Sequence, residues 1–283
     1  MGVQARTPQA DIRQDGFGTR RFERDPEAER VEVLDLSPSL ATAAAEQAIR
    51  ARAARFAADS HAIMLAPAVR IRRAGASLTI TTAVPAGVTL ADFLSALEFG
   101  TITLPAEAVL TLTGDVICAV AAMHDLTGAP AHGALCPEHV VLRRDGGVLL
   151  TGTLLADALQ LLQLNREQLW RTFGVALPPS GSLPRFDQRT DVTELGALVL
   201  AILLRRPLAS AEYPRGIDDL VNATATGAHA SALRNWLRHA LLLHAKSMFA
   251  SAADAARGFD EIVAPAESRR IGAHALYAAV RHV

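Results

Sequence analysis

Residues His132-Gly133-Ala134-Leu135-Cys136-Pro137-Glu138-His139-Val140-Val141-Leu142 read HGALCPEHVVL. The stretch contains Pro137 and ends on the β-branched Val140 and Val141, where a short strand begins. That strand, Val140 to Arg143, and a second, Val148 to Thr151, flank Asp145-Gly146-Gly147. These residues suit the turn of a two-stranded hairpin. Upstream, Leu104-Pro105-Ala106-Glu107 opens a helix running to about Leu126, with Val109, Leu112, Val116, Val120 and Met123 at helical spacing. Within the loop, Cys136 and His139 could suggest a metal or nucleophilic pair, but no third ligand lies at a usable spacing.

Outward from this centre the chain changes character. Towards the N-terminus, Thr19 to Arg24, Arg30 to Leu36, Val69 to Arg73 and Ser77 to Thr82 read as strands, the last two joined by a turn at Arg72-Arg73-Ala74-Gly75-Ala76. Ser37-Pro38-Ser39 predicts the start of an alanine-rich helix over Leu40 to Ala58. A short helix follows over Thr89 to Phe99. Beyond the hairpin, helices are expected at about 155–173, 190–205, 230–243 and 251–263, with Pro178-Pro179-Ser180-Gly181-Ser182 as loop. Asp191 with Glu194 three residues on reads as a helix-capping box. The fold class is α+β: a small β-rich lobe with one long helix, then a larger, mainly helical lobe. The expected divisions are a disordered tail at 1–12, the first lobe at 13–85, the second at 86–265 and a C-terminal extension at 266–283.

Composition narrows the function classes. The chain has 283 residues, half of them hydrophobic and 5% aromatic, so Leu, Ala and Val must build the core. A formal net charge of −1 gives no general attraction to nucleic acid or to anionic lipid. Two cysteines, Cys118 and Cys136, indicate no disulfide framework, so a reducing cytoplasm is the default location. The polar N-terminus has no apolar segment of a secretory signal. The longest apolar run, Leu195 to Leu204, is well short of the ~20 residues of a membrane span.

Three stretches together resemble bacterial serine/threonine protein kinases. Phe22-Glu23-Arg24-Asp25-Pro26 through Arg30-Val31-Glu32-Val33-Leu34 is similar to the start of such a domain. His132 to Thr151 is similar to the catalytic loop, H-R-D-L-K-P-E-N, and the strand leading to D-F-G. Thr190-Asp191-Val192-Thr193-Glu194-Leu195-Gly196 is similar to the start of the central helix of the large lobe. The resemblance spans about residues 13–263 and implies a bilobal protein kinase-like fold.

The resemblance also implies which groups are missing. Phosphoryl transfer needs a cradle for nucleotide phosphates, metal ligands and a base. The base aspartate falls at Ala134, the phosphate-facing lysine at Cys136 and the magnesium-binding asparagine at His139. The glycine-rich loop falls at Arg13 to Thr19, where only Gly16 and Gly18 match. The strand lysine falls at Leu34, and its helical glutamate near Arg52, with Glu46 as the alternative one turn away. The D-F-G aspartate falls at Gly152. No A-P-E motif is recognisable around Leu183-Pro184-Arg185-Phe186, and the arginine that would pair with its glutamate falls near Met248. Losing one partner of a buried pair costs ~3–5 kcal/mol, whereas replacing both can be neutral. Paired loss suits an adapted domain.

His132 and Asp191 match the family's buried bracing residues and are expected to be structural. Cys136 and His139 read as replacements at vacated positions. His124 reads as a favourable charge at a helix end, Arg50, Arg52 and Arg55 as a solvated basic stripe, and Asp145 as a turn residue. Asp157 and Asp145 are the substitutes to consider for a magnesium ligand. The segment from Gln160 to Trp170 either covers the vacant cleft or forms a docking surface. The expectation is a catalytically inactive pseudokinase with no cofactor and no metal, acting in signalling or scaffolding through a protein partner. The alternatives are a divergent transferase on the same fold and a nucleotide-sensing pseudokinase that binds ATP without metal.

Overall fold

The computed structural model describes residues 12–24, 30–57, 65–66, 68–128, 130–179, 184–224, 229–243, 248–263 and 266–283. The first lobe is a five-stranded antiparallel sheet in the order β1-β2-β3-β5-β4, from β1 (Ile12–Gln14), β2 (Gly18–Glu23), β3 (Val31–Leu36), β4 (Ala68–Ala74) and β5 (Ser77–Ala83). Ala74 pairs with Ser77 across a two-residue turn whose Gly75 has φ +60°, a conformation glycine adopts without steric cost. One helix, α1 (Ala43–Phe56), packs on this sheet through Ala45 and Ile49. It starts later than Ser37-Pro38 predicts, because Thr42 is the cap: its side chain accepts from the Ala45 amide at 3.1 Å. Of the expected tail, residues 1–11 lie outside the described residues, and Ile12 opens β1.

A second sheet, β6 (Gly87–Thr89), β7 (Val140–Arg143) and β8 (Val148–Leu150), carries the predicted hairpin plus a third strand too short for periodicity to reveal. The helical lobe then contains α2 (Leu90–Glu98), α3 (Ala106–His124), α4 (Ala156–Leu161), α5 (Arg166–Phe173), α6 (Gln188–Leu204), α7 (Ile217–Ala223), α8 (Ala230–Ala240), α9 (Ala252–Asp260) and α10 (Ala266–His282). Its core is centred on α6, where every residue from Thr190 to Ile202 is buried. Gly196 lets α8 approach, since a Cβ there would lie 2.9 Å from Leu241. Helix α3 is long and apolar enough to cross a membrane, but half of it is buried and it packs on α6, α9 and α10. It is one of the packed helices of the lobe.

The single helix expected over 155–173 is two. Asn165 and Gln168 form a reciprocal capping box, each side chain bonding the other's backbone amide at 2.9 Å, and this starts α5 afresh after a turn. The expectation of a capping box at Asp191 is also corrected. Asp187 is the cap of α6, accepting from the Arg189 and Thr190 amides at 3.0 and 3.1 Å, which frees the Asp191 carboxylate for another task. The C-terminal extension is helix α10. It lies against α3 at Gly272, where any Cβ would collide with the backbone of Glu107 and with Thr111. Gly272→Leu should therefore loosen α10 at about 1–3 kcal/mol. Hydrogen exchange should show faster amide exchange over α10, with the β-sheet of the first lobe unchanged.

Candidate functional site

The 132–142 loop is fixed from below by α6. The Asp191 carboxylate accepts from the His132 and Gly133 amides at 2.6 Å each and lies 2.7 Å from His124 Nε2. Glu194 accepts from the Leu135 amide at 2.8 Å. Burial, and then the Asp191 charge, push the Glu194 carboxyl well above the usual carboxylate range. His132 Nε2 donates to the Thr151 carbonyl at 2.8 Å, so its Nδ1 is free to accept from the Ala134 amide at 3.2 Å. Burial holds its pKa down to about 3. His124 thus serves as a partner of Asp191 rather than as a helix-end charge.

Arg52 fixes the same loop from above. It is buried on the inner face of α1 and is no part of a solvated stripe. Its guanidinium donates to the carbonyls of Thr153, Ala131 and His132, and to Asp157 at 3.3 Å. Its pKa is lowered by burial despite Asp157 and Asp191. Glu46, the alternative at this position, faces outward and is bonded by Arg50 and Arg73. Asp157 is held by Arg52 and Arg55, and Asp145 by Arg143, so both candidate metal ligands are engaged elsewhere.

Between the lobes, the vacated positions are filled. His139 Nδ1 donates to the Ala134 carbonyl at 2.6 Å, leaving Nε2 to accept from Arg20, 3.1 Å away. Burial, and then the Arg20 charge, depress its pKa to about 3, so the ring is neutral. The ring lies over Gly152, where a Cβ would meet it at 2.6 Å. Cys136 is fully buried, and burial with the nearby Glu138 charge raises its thiol well above the ordinary value, which removes the thiolate that nucleophilic or metal-binding chemistry requires.

Arg20 is the residue that sequence reasoning missed. It sits buried on β2, paired with Glu32 on β3 and with Asp15 at 3.0 Å. Burial opposes its charge, but Glu32 and Asp15 outweigh this and raise its pKa. The Asp15 carboxylate also accepts from the Phe17 and Gly18 amides at 2.8 and 3.1 Å, closing a tight β1–β2 turn. That turn folds inward. Phe17 is buried, 4.5 Å from the His139 ring and 5.0 Å from the Phe173 ring. Gly16 presses on the Thr172 carbonyl of α5, with no room for a side chain. Arg13 pairs with Asp92 on α2. Leu34 packs with Leu154, Leu155 and Ile80 in the same apolar cluster as Phe17 and Leu169. The Gln160 to Trp170 segment thereby contributes to the filling, through α5. Among the described residues, a cavity beside Arg20, Leu34, Gly152 and Leu154 measures about 20 Å³, against roughly 300–1,000 Å³ for a typical small-molecule site.

No family model matches the sequence, and no curated protein matches it. Solved structures do match the fold. The PknI kinase domain of Mycobacterium tuberculosis is 16% identical, with TM-score 0.57 over 88% of this chain and 92% of that chain. A mutant form of the same domain gives 17% and 0.60, over 92% and 99%. The maize SIRK1 kinase domain bound to AMP-PNP gives 16% and 0.63, over 90% and 92%.

The fold is protein kinase-like. Leu34, Arg52, Ala134, Cys136, His139 and Gly152 all lie around the interlobe region of this kinase-like fold, and His132 and Asp191 brace it. Met248 is half-buried, and part of the segment before Pro184 lies outside the described residues, so the expected paired replacement there stays an expectation.

Two predictions come from this geometry. Gly152 has φ +71° as well as the His139 ring above it. Gly152→Asp should therefore destabilise the protein by about 2–4 kcal/mol in chemical denaturation, and adding His139→Asn should recover part of that loss. His132 and His139 have folded pKa values near 3 against 6.5 in the unfolded chain. The unfolded state binds more protons below pH 6.5, so each ring makes stability fall as pH falls from about 6.5 towards 3, by up to ~1.4 kcal/mol per unit. Glu194, with a raised folded pKa, works in the opposite direction above about pH 4.5. Glu138, whose carboxyl burial also raises, acts in the same direction as Glu194, so the part due to His139 is read by difference: on going from pH 6.5 to 5, His139→Asn should lose less stability, or gain more, than the unchanged protein.

Proposed function

We propose that this chain is a catalytically inactive pseudokinase that works in signalling or scaffolding by binding another protein. The observation that carries this reading is the His139 ring, clamped between Arg20 and the Ala134 carbonyl directly over Gly152. A kinase-like fold would place its metal ligands at these two positions. Here one is a neutral imidazole without a free nitrogen and the other has no side chain. Phe17 occupies the space beneath the β1–β2 turn, and Leu34 offers no charge to a phosphate. An open active site would leave such elements loose; these are buried and hydrogen-bonded. Asp157 and Asp145 are engaged by arginines, as are Glu32 and Asp15 beside the cleft, and this weighs against the divergent transferase, which needs a free carboxylate there.

Thermal denaturation with ATP, with and without Mg²⁺ or Mn²⁺, tests the reading. A ligand at 100 times its Kd adds ~2.7 kcal/mol. The expected result is no shift under any of these conditions, together with no autophosphorylation. A metal-dependent shift would favour the transferase, and a metal-independent one the nucleotide-sensing form.

A further inference from the structure

We propose that the open groove under the C-terminal end of α1 seats an acidic segment of a partner protein. The proposal rests on the reading of the chain as a protein-binding module and names the chemistry of what it binds. The groove lies between α1, residues 127–128 and 130–131, and the start of α6, and has a volume of about 790 Å³. That is large enough for several side chains of an extended peptide, and it is separate from the filled interlobe region.

Its charges are unevenly matched. Arg52, Arg55 and Arg189 line it, against Asp157 and Asp187. Asp157 is shared by Arg52 and Arg55. Asp187 is turned to the amides of Arg189 and Thr190 as the cap of α6. The Arg189 guanidinium, exposed at the mouth, has no partner among the described residues, and neither has that of Arg185 just beyond Phe186. Arg55 is also largely exposed and has only a share of one carboxylate. The planar guanidinium fork matches a carboxylate in two parallel hydrogen bonds. Between these arginines, half-buried Phe56, Pro130 and Phe186 give an apolar wall. Carboxylates beside an apolar side chain are what this surface complements. A polyphosphate strand fits it poorly, because Asp157 and Asp187 stand in the same lining and the chain as a whole carries no positive charge.

A fluorescein-labelled peptide of alternating Glu and Leu, followed by anisotropy at about 0.15 M salt, tests this on the full chain. The Glu-Leu peptide should bind and a Lys-Leu peptide of equal length should not. Arg55→Ala with Arg189→Ala should weaken binding at least about tenfold. Arg189→Glu alone, an exposed change that leaves the fold intact, should weaken it in the same direction. Arg238→Ala, on α8 and outside the groove lining, where it bonds Asn222, should leave it unchanged. The proposal is overturned by absence of binding, by binding insensitive to Arg189→Glu, by equal loss in Arg238→Ala, or by equal affinity for a single-stranded oligothymidylate. Failure here with no nucleotide shift would remove the groove and leave the inactive reading standing. A nucleotide shift with peptide binding intact would do the reverse.

Discussion

The contact on which the rest of the site depends is the stacking of the His139 ring over Gly152. One nitrogen donates to the Ala134 carbonyl and the other accepts from Arg20. The ring therefore joins the 132–142 loop, the end of β8 and the first lobe at one point. Its neutrality follows from burial and the adjacent guanidinium, and that neutrality keeps the arrangement consistent, because a protonated ring would face Arg20 as a like charge. Gly152 must lack a side chain for the ring to fit. Phe17 can then close over the ring, and the β1–β2 turn follows it inward.

Around this contact, buried ionisable groups are used to hold backbone. Asp191 takes two loop amides, Glu194 takes a third, and Arg52 takes three carbonyls from the other side. Such groups are costly to bury unless their hydrogen bonds are made, and here each is spent on a segment without regular structure of its own. The loop keeps its shape although Ala134 and Cys136 carry no group suited to phosphoryl transfer. Arg20, with Glu32 and Asp15, adds a charge cluster inside the first lobe that ties β2, β3 and the inward turn together.

The element order was legible because the periods are clear. Strand alternation around Gly75 and the helical spacing from Val109 to Met123 each have one good interpretation. His132 and Asp191 were legible as bracing because their neighbours fix the register of the resemblance. Arg20 was not, because a buried arginine in a run of arginines and threonines looks like a solvated strand face until Glu32, diagonal to it on β3, is known to pair with it. Arg52 was misplaced for the same reason: sequence shows an arginine stripe on α1 but not the three carbonyls that await one of them. The split between α4 and α5 was marked by Asn165 and Gln168, a capping box hidden inside an apolar stretch. β6 and α7 were too short for a periodic signal, and α10 has small residues where it meets α3, so its buried stripe is weak in hydrophobicity.

The most direct test of the filled site is the protonation state of His139, read by long-range ¹H–¹⁵N correlation on the imidazoles and assigned by loss of the signal in His139→Asn. The account predicts a neutral Nδ1–H ring from pH 7 down to at least pH 5, with shifts unchanged by ATP and Mg²⁺. A ring that titrates near its ordinary value of about 6.5, or that moves when ATP and Mg²⁺ are added, would mean that the space over Gly152 is open, and would contradict it.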